Sequence, residues 1–100
     1  MNEIARWTTP SITYKPEAVS ISDVDEIVLA VKENGKEILR KTKVDATVST
    51  SGFTWFFSQE DTSLFRDLVS IQIDYTYGTA RYTIQPRRYR ITESAIDEVI

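Results

Sequence analysis

The sequence predicts an all-β protein, a single antiparallel β-sandwich of about seven strands with one short helical turn. Apolar residues recur at every second position over most of the chain, which is the period of a half-buried strand. Turn-forming residues separate these runs at short and fairly even intervals. The chain has 100 residues, of which 41% are hydrophobic and 11% aromatic, and this suits one compact domain.

The N-terminal part predicts one strand followed by a loop. The segment from Trp7 to Tyr14 is rich in β-forming side chains. Pro10 has no N–H to give to a sheet ladder, so this segment is expected to be an edge strand or a strand start. Residues 16–25 predict a loop or a short irregular strand.

A β-hairpin is predicted next. Residues 27–32 alternate in the manner of a strand, and residues 36–43 return as its partner. The Asn34-Gly35 dipeptide between them favours a two-residue turn, because both residues tolerate positive φ. Residues 44–48 either extend the second strand or form a short strand of their own.

An aromatic strand then runs into a capped helical turn. Residues 53–57 carry Phe, Trp and Phe at alternating positions, which is typical of a strand with one buried face. Ser58 and Asp61, three residues apart, form a variant of the helix capping box. The sequence therefore predicts one helical turn over Gln59 to Phe65.

The C-terminal half predicts three more extended segments. Residues 69–76 give the clearest alternation in the chain, and residues 80–85 repeat it after a tight turn at Gly78. Pro86 limits the second of these strands, and residues 87–91 are expected to be extended. The predicted core consists of Ile27, Leu29, Val31, Phe53, Trp55, Phe57, Phe65, Val69, Ile71, Ile73 and Ile84.

The domain organisation expected from these patterns is simple. Residues 1–6 are expected to be a flexible leader, residues 7–91 the β-sandwich, and residues 92–100 a C-terminal tail whose helical or coil state the pattern leaves open. No apolar run approaches the roughly 18 residues of a membrane span, so no membrane association is expected.

Composition narrows the possible functions. The net charge of −3 argues against nucleic-acid binding, which needs clustered Lys and Arg. The chain has neither Cys nor His. It therefore lacks thiolate ligands, the commonest transition-metal ligand and the commonest general base. We expect no enzymatic activity and no cofactor.

Two motifs and the strands around them carry a resemblance. Arg6-Trp7-Thr8-Thr9-Pro10 forms an Arg-x-Thr-Thr-Pro opening, and residues 53–65 end in a Gln-Glu-Asp-Thr-x-x-Phe turn. Between and after them come the Asn-Gly hairpin, a Val-x-Ile-Gln-Ile strand at residues 69–73, and an acidic tail. Together these features resemble a family of short prophage-encoded proteins found beside tail and baseplate genes in Gram-positive bacteria. They are also distantly similar to the N-terminal immunoglobulin-like domain of phage baseplate upper proteins.

The resemblance implies an immunoglobulin-like sandwich and a role in the virion or its assembly. It implies a non-catalytic structural protein of the tail or baseplate region, assembled in the host cytoplasm, with other tail or baseplate proteins as partners. The alternative is a β-sandwich module that binds carbohydrate or a host-surface ligand. The chain departs from the family in its Trp-Phe-Phe strand and in Arg87-Arg88.

The acidic residues of the chain favour structural roles over chemistry. Asp23, Asp25 and Glu26 form a cluster in a loop, but their spacing does not match an EF-hand, so no metal site is expected. Glu60 and Asp61 are adjacent in a capped turn. The cap and the helix dipole explain them better than a glycosidase pair does, which needs two carboxylates across a cleft.

The partner-binding candidates lie near the C terminus. Arg87, Arg88, Tyr89 and Arg90 make the only basic patch, and Arg and Tyr are favoured at interface hot spots. Alternation would place Arg88 and Arg90 on one face and the other two on the opposite face. The competing interpretation is a charged edge strand that resists aggregation.

The aromatic residues leave two alternatives open. Tyr77 is a further partner-binding candidate, at the Gly78 turn. With Tyr75 and Tyr82 it either forms a platform that stacks on sugars or a partner, or belongs to cross-strand pairs that stabilise the hairpin. Trp7 is either a lid on the core or a docking residue.

Overall fold

The computed structural model is a β-sandwich of nine strands and one short α-helix, described for residues 2–94, 96 and 98–100. Met1 of the expected leader and positions 95 and 97 of the expected tail lie outside these residues. The strands are β1 (Asn2–Ala5), β2 (Ser11–Tyr14), β3 (Glu26–Glu33), β4 (Lys36–Lys41), β5 (Thr47–Ser49), β6 (Gly52–Phe56), β7 (Leu68–Tyr77), β8 (Ala80–Thr83) and β9 (Arg87–Thr92), and the helix is α1 (Gln59–Ser63).

The nine strands form two sheets whose order follows the immunoglobulin pattern. The large sheet runs β1-β9-β7-β3-β4, with β8 also paired to β7, and the small sheet runs β2-β6-β5. In immunoglobulin terms β9-β7-β3-β4 corresponds to strands G-F-C-C′, and β2-β6-β5 to strands B-E-D. The sequence-based prediction of a sandwich with one helical turn is therefore confirmed.

The first strand corrects the expected domain boundary. Asn2–Ala5, expected to be part of a flexible leader, pairs with β9, and Ile4 is only 6% exposed. The pairing is parallel, so the sandwich is not purely antiparallel. A four-residue strand with one buried side chain shows no alternation, and its partner lies at the other end of the chain. The sequence pattern could not reveal it.

The hairpin and the helix form where the sequence predicts them. Asn34 and Gly35 have φ values of 54° and 76° and join β3 to β4 through a two-residue turn. Ser58 Oγ accepts from the Asp61 backbone N–H at 3.0 Å, and the Asp61 carboxylate accepts from the Ser58 backbone N–H at 2.9 Å. This is a complete capping box. The helix ends at Ser63, slightly earlier than expected.

The core lies between the two sheets and matches the prediction closely. All predicted core residues are buried except Ile84, which is partly buried against the others. The fully buried Trp55 donates its indole N–H to the Thr42 carbonyl at 3.0 Å, so its polar atom is satisfied. The structure adds five further core side chains: Ile4, Ile12, Val24, Tyr75 and Tyr89.

Candidate functional site

Strand β9 divides the predicted basic patch between two faces. Arg88 lies opposite Ser70 of β7, whereas Tyr89 lies opposite the buried Val69. Residues directly opposite each other in a sheet point to the same side. Arg88 and Arg90 therefore face away from the small sheet, as the alternation predicts, and Tyr89 faces the core.

Tyr89 is therefore removed from the set of partner-binding candidates. Only 8% of its surface is exposed, and it belongs to the core cluster. Arg87 is exposed but lies on the core-facing side, at the mouth of a narrow groove beside Ile12, Ile71 and Ile84. The four consecutive candidates thus have different surroundings, and only two of them share a surface.

Strand β9 is not a sheet edge, which corrects a second expectation. Arg90 lies opposite Leu68 of β7 on one side and Glu3 of β1 on the other. The edge-strand interpretation required one side of β9 to be unpaired. With β1 in place, Tyr89 and Arg90 are paired on both sides and cannot accept a further strand, so a partner would contact Arg90 through its side chain.

Tyr77 lies far from the arginines. It is 48% exposed at the end of β7, seven residues along the strand from Ser70, the position opposite Arg88. At about 3.3 Å per residue this separation is about 23 Å. Tyr77 and the arginines therefore do not form one compact site.

The other tyrosines pair with each other. The rings of Tyr75 and Tyr82, opposite one another on β7 and β8, stack at 4.9 Å between centroids. On its other side Tyr75 packs against Tyr14 at 6.0 Å. The pKa of Tyr14 is raised to about 12, mainly by burial and secondly by the nearby Tyr75. The predicted cross-strand pairing is confirmed for Tyr75 and Tyr82, whereas Tyr77 lies opposite Ala80.

The outward side of the large sheet, called here the outer face, contains the most distinctive polar surface. It holds a depression of about 340 Å³ lined by side chains of β3, β4, β7 and β8, with Val28 and Ala30 in its wall. An adjoining open depression of about 490 Å³ lies beside Lys32, Ser70 and Arg88. Lys32 lines both depressions and so connects them.

Strand register aligns these residues in one row. Lys32 of β3 lies opposite Ser70 of β7, and Ser70 lies opposite Arg88 of β9. Neighbouring strands are about 4.8 Å apart, so the backbones at Lys32 and Arg88 are about 10 Å apart with the Ser70 hydroxyl between them. This spacing lets two cations and a hydroxyl contact a single acidic group.

Two other cations of the outer face are already paired with carboxylates. Arg81 donates to the Asp74 carboxylate from both Nε and Nη2, and Gln72 donates to the same carboxylate at 3.0 Å. Burial raises the pKa of Asp74, but the hydrogen bonds from Arg81 and Gln72 outweigh it and leave the pKa below its ordinary value. Arg40 donates to both oxygens of Glu37, at 3.1 and 2.8 Å.

Three cations of the outer face have no such partner. Among the described residues, Lys32, Arg88 and Arg90 make no ion pair within 4.0 Å. All three are exposed. They differ from Arg40 and Arg81 in this respect, although Glu37 lies opposite Lys32 on β4 and Glu3 lies opposite Arg90 on β1.

The two distinctive sequence motifs meet in what we call the seam, the contact between residues 6–10 and residues 57–63. The Thr62 hydroxyl, fully buried, donates to the Thr8 carbonyl at 2.8 Å, and Arg6 Nη2 donates to the Ser63 carbonyl at 2.7 Å. The Phe57 backbone N–H donates to the Pro10 carbonyl at 2.9 Å. The Thr-Thr-Pro opening and the Gln-Glu-Asp-Thr turn are therefore parts of one structural contact.

The acidic candidates have structural partners as well. The Asp25 carboxylate accepts from the Gly78 backbone N–H at 2.7 Å and supports the β7–β8 turn. Asp61 completes the helix cap and pairs with Lys41 Nζ at 3.0 Å. Burial raises the pKa of Asp61, but hydrogen bonds from Ser58 and Lys41 hold it below its ordinary value. Within the described residues, no group of three acidic side chains is placed to hold a metal ion.

Comparisons with protein-family models, with curated proteins and with solved structures found no match. Among the described residues, no helix is long and apolar enough to cross a membrane. Sequence reasoning missed Lys32 and Ser70 because their alignment with Arg88 depends on the register between β3 and β7. Alternation shows that both lie on the polar side of a strand, but it does not place them opposite each other.

Proposed function

We propose that this protein is a non-catalytic structural component of a phage tail or baseplate that acts through protein–protein contacts. The contact surface is the row of Lys32, Ser70 and Arg88 with the adjacent Arg90. The observation that supports this surface is the contrast in pairing across the outer face: among the described residues these cations make no ion pair within 4.0 Å, whereas Arg40 and Arg81 pair with carboxylates. The assignment to a tail or baseplate rests on the resemblance of the Thr-Thr-Pro and Gln-Glu-Asp-Thr motifs.

The charge pattern favours an acidic protein surface as the partner. Glu3 lies opposite Arg90, and Asp67 lies beside Arg88 in the same depression. The free cations are thus interrupted by carboxylates and do not form a continuous basic path for a phosphate backbone. Arg88 can bind a carboxylate with two parallel hydrogen bonds, which gives direction as well as affinity.

The site also fits a contact made on a pre-formed surface. Its residues project from β3, β7 and β9, which are hydrogen-bonded to one another in the middle of the large sheet. Side chains on paired strands are held more rigidly than side chains on loops, so they lose less conformational entropy when a partner binds. The carbohydrate-binding alternative has less support, because Tyr75 and Tyr82 stack on each other and leave Tyr77 as the exposed tyrosine of this group.

The test compares two variants with the same change of charge at adjacent positions. Arg88→Glu reverses a charge on the outer face, and Arg87→Glu does so on the opposite side of the strand. In the host strain, the prophage is induced, particles are purified, and this protein is quantified in them by immunoblot. We expect at least a tenfold loss for Arg88→Glu, equivalent to about 1.4 kcal/mol, and less than a twofold loss for Arg87→Glu.

Two results would contradict the proposal in different ways. Absence of the wild-type protein from particles and from assembly intermediates would end the tail or baseplate assignment. Equal incorporation of both variants would preserve the role and remove the contact from the outer face. Melting temperatures of the purified variants control for unfolding.

A further inference from the structure

The link between β1 and β2 carries a strained backbone. The chain leaves the large sheet after Ala5 and enters the small sheet at Ser11. Within this link Trp7 has a φ of +68°; among the described residues, Asn34 is the other non-glycine position with positive φ. Asn adopts this conformation readily, whereas a bulky aromatic residue there is an outlier. The backbone conformation that this link imposes on Trp7 is therefore unfavourable.

Trp7 and its neighbour Arg6 also bury side-chain nitrogen atoms that have no hydrogen-bond partner in the described part of the chain. Arg6 Nε and Trp7 Nε1 are inaccessible and donate no hydrogen bond to any described residue. Buried donors are nearly always paired, and an exception marks a site of strain or of an alternative arrangement. Backbone strain and two unpaired donors thus coincide at one position of the fold.

The residues on both sides of Trp7 contact helix α1, since Arg6 Nη2 donates to the Ser63 carbonyl and Thr62 donates to the Thr8 carbonyl. Thr8 Oγ1 also donates to the Ala5 carbonyl at 2.6 Å. The residues before Trp7 differ in their pairing with β9. Before it, β1 pairs only with β9, and the Arg6 backbone N–H donates to the Thr92 carbonyl at 2.9 Å. After it, the Thr8 carbonyl is fixed by Thr62. Release of residues 2–6 about Trp7 therefore breaks the β1–β9 pairing and the Arg6–Ser63 and Thr8–Ala5 hydrogen bonds, while the Thr8 carbonyl stays bound to Thr62.

We infer that this protein forms a dimer by exchanging β1, each copy placing residues 2–6 against β9 of the other. The exchanged segment regains its pairing with β9, the burial of Ile4 and the hydrogen bonds of Arg6, because all of these are made to residues that a second copy also provides. Opening the hinge lets Trp7 adopt an extended backbone. Exchange of an identical element is a low-cost route to a dimer, and strain in a short hinge favours it.

The partner is thus a second copy of this chain, and the recognised element is its first strand. The inference does not depend on the proposed function, because it rests on the Trp7 backbone and the β1–β9 pairing and not on the charges of the outer face. The new prediction is that the surface receiving β1 is the side of β9 that faces away from β7.

Disulfide trapping tests the exchange directly, since the chain has no cysteine of its own. Glu3 and Arg90 are opposite one another on β1 and β9, and both are exposed. Chains carrying Glu3→Cys are mixed with chains carrying Arg90→Cys, unfolded, refolded together and oxidised mildly. We expect a disulfide-linked heterodimer joined through positions 3 and 90, at least tenfold above a control mixture of Glu3→Cys with Glu26→Cys. A yield equal to the control would overturn the inference.

Substitution of the hinge separates backbone strain from loss of the indole ring. Trp7→Gly permits positive φ and should weaken the dimer at least tenfold by analytical ultracentrifugation. Trp7→Ala removes the ring but keeps the preference against positive φ, and should dimerise as well as the wild type. Equal weakening by both variants would contradict the strained hinge. Circular dichroism shows whether each variant is folded.

Discussion

The seam and the outer face use polar side chains in opposite ways. In the seam, Thr62 and Arg6 give hydrogen bonds to main-chain carbonyls of neighbouring segments, and the Thr62 hydroxyl is fully buried. On the outer face, Lys32 and Arg88 are exposed and have no ion-pair partner among the described residues. A polar residue that the fold already uses affects stability, whereas a free one is available for binding.

This difference bears on how sequence motifs are interpreted. The Thr-Thr-Pro opening and the Gln-Glu-Asp-Thr turn are the most distinctive stretches of the chain, yet their contacts are with each other and with the main chain. The candidate contact surface instead combines ordinary residues from three strands. Distinctive sequence therefore marks a structural contact here, whereas the surface that we propose for a partner is made of ordinary residues.

The largest expected effect lies in the seam, at Thr62. Thr62→Val keeps the shape of the buried side chain but removes its part-buried hydrogen bond to the Thr8 carbonyl. We expect a loss of about 1–3 kcal/mol in the free energy of unfolding, measured by urea denaturation. Thr62→Ser keeps the hydroxyl and should be less destabilising than Thr62→Val. A loss below about 0.5 kcal/mol for Thr62→Val would contradict a stabilising seam.

The hairpin at one end of the outer face provides an intermediate effect. Gly35 has a φ of 76° and nothing within 4 Å of the position of a Cβ, so any cost of substitution comes from the backbone. Gly35→Val should cost about 1–2 kcal/mol, because a β-branched residue is poorly tolerated at positive φ. Gly35→Asn is the matched control and should cost less. Equal melting temperatures for the wild type and Gly35→Val would contradict the turn assignment.

A smaller, pH-dependent effect is expected at Asp61. Because its pKa in the folded protein lies below the ordinary value, ionised Asp61 adds stability at neutral pH. That contribution to stability is lost as the pH falls through the ordinary pKa of Asp and then through the lower pKa of folded Asp61. Asp61→Asn should therefore be less stable than the wild type at pH 7, with the gap narrowing towards pH 3. A constant gap across urea titrations at these pH values would show that the charge is not responsible.

The sequence predicts local structure well and long-range placement poorly. The Asn34-Gly35 turn and the Ser58–Asp61 cap follow from neighbouring residues, and both form as expected. The parallel pairing of β1 with β9 joins opposite ends of the chain, so no local pattern contains it.

The candidate site illustrates the same limit. Alternation correctly separates Arg88 from Arg87, because a strand has a period of two residues. It cannot show that Tyr89 is covered by the small sheet or that Lys32 aligns with Arg88 across β7. The face of each side chain is thus predictable from sequence, whereas its neighbours are not.

The most direct test of the outer face as a contact surface is site-specific photo-crosslinking in purified particles. A photoreactive amino acid is placed at position 88 in one variant and at position 87 in the other, and crosslinked products are identified by mass spectrometry. Position 88 should crosslink to one tail or baseplate protein, while position 87, on the opposite side of β9, should give no such product. Crosslinking from position 87 alone, or equally from both positions, would contradict a contact made through the outer face.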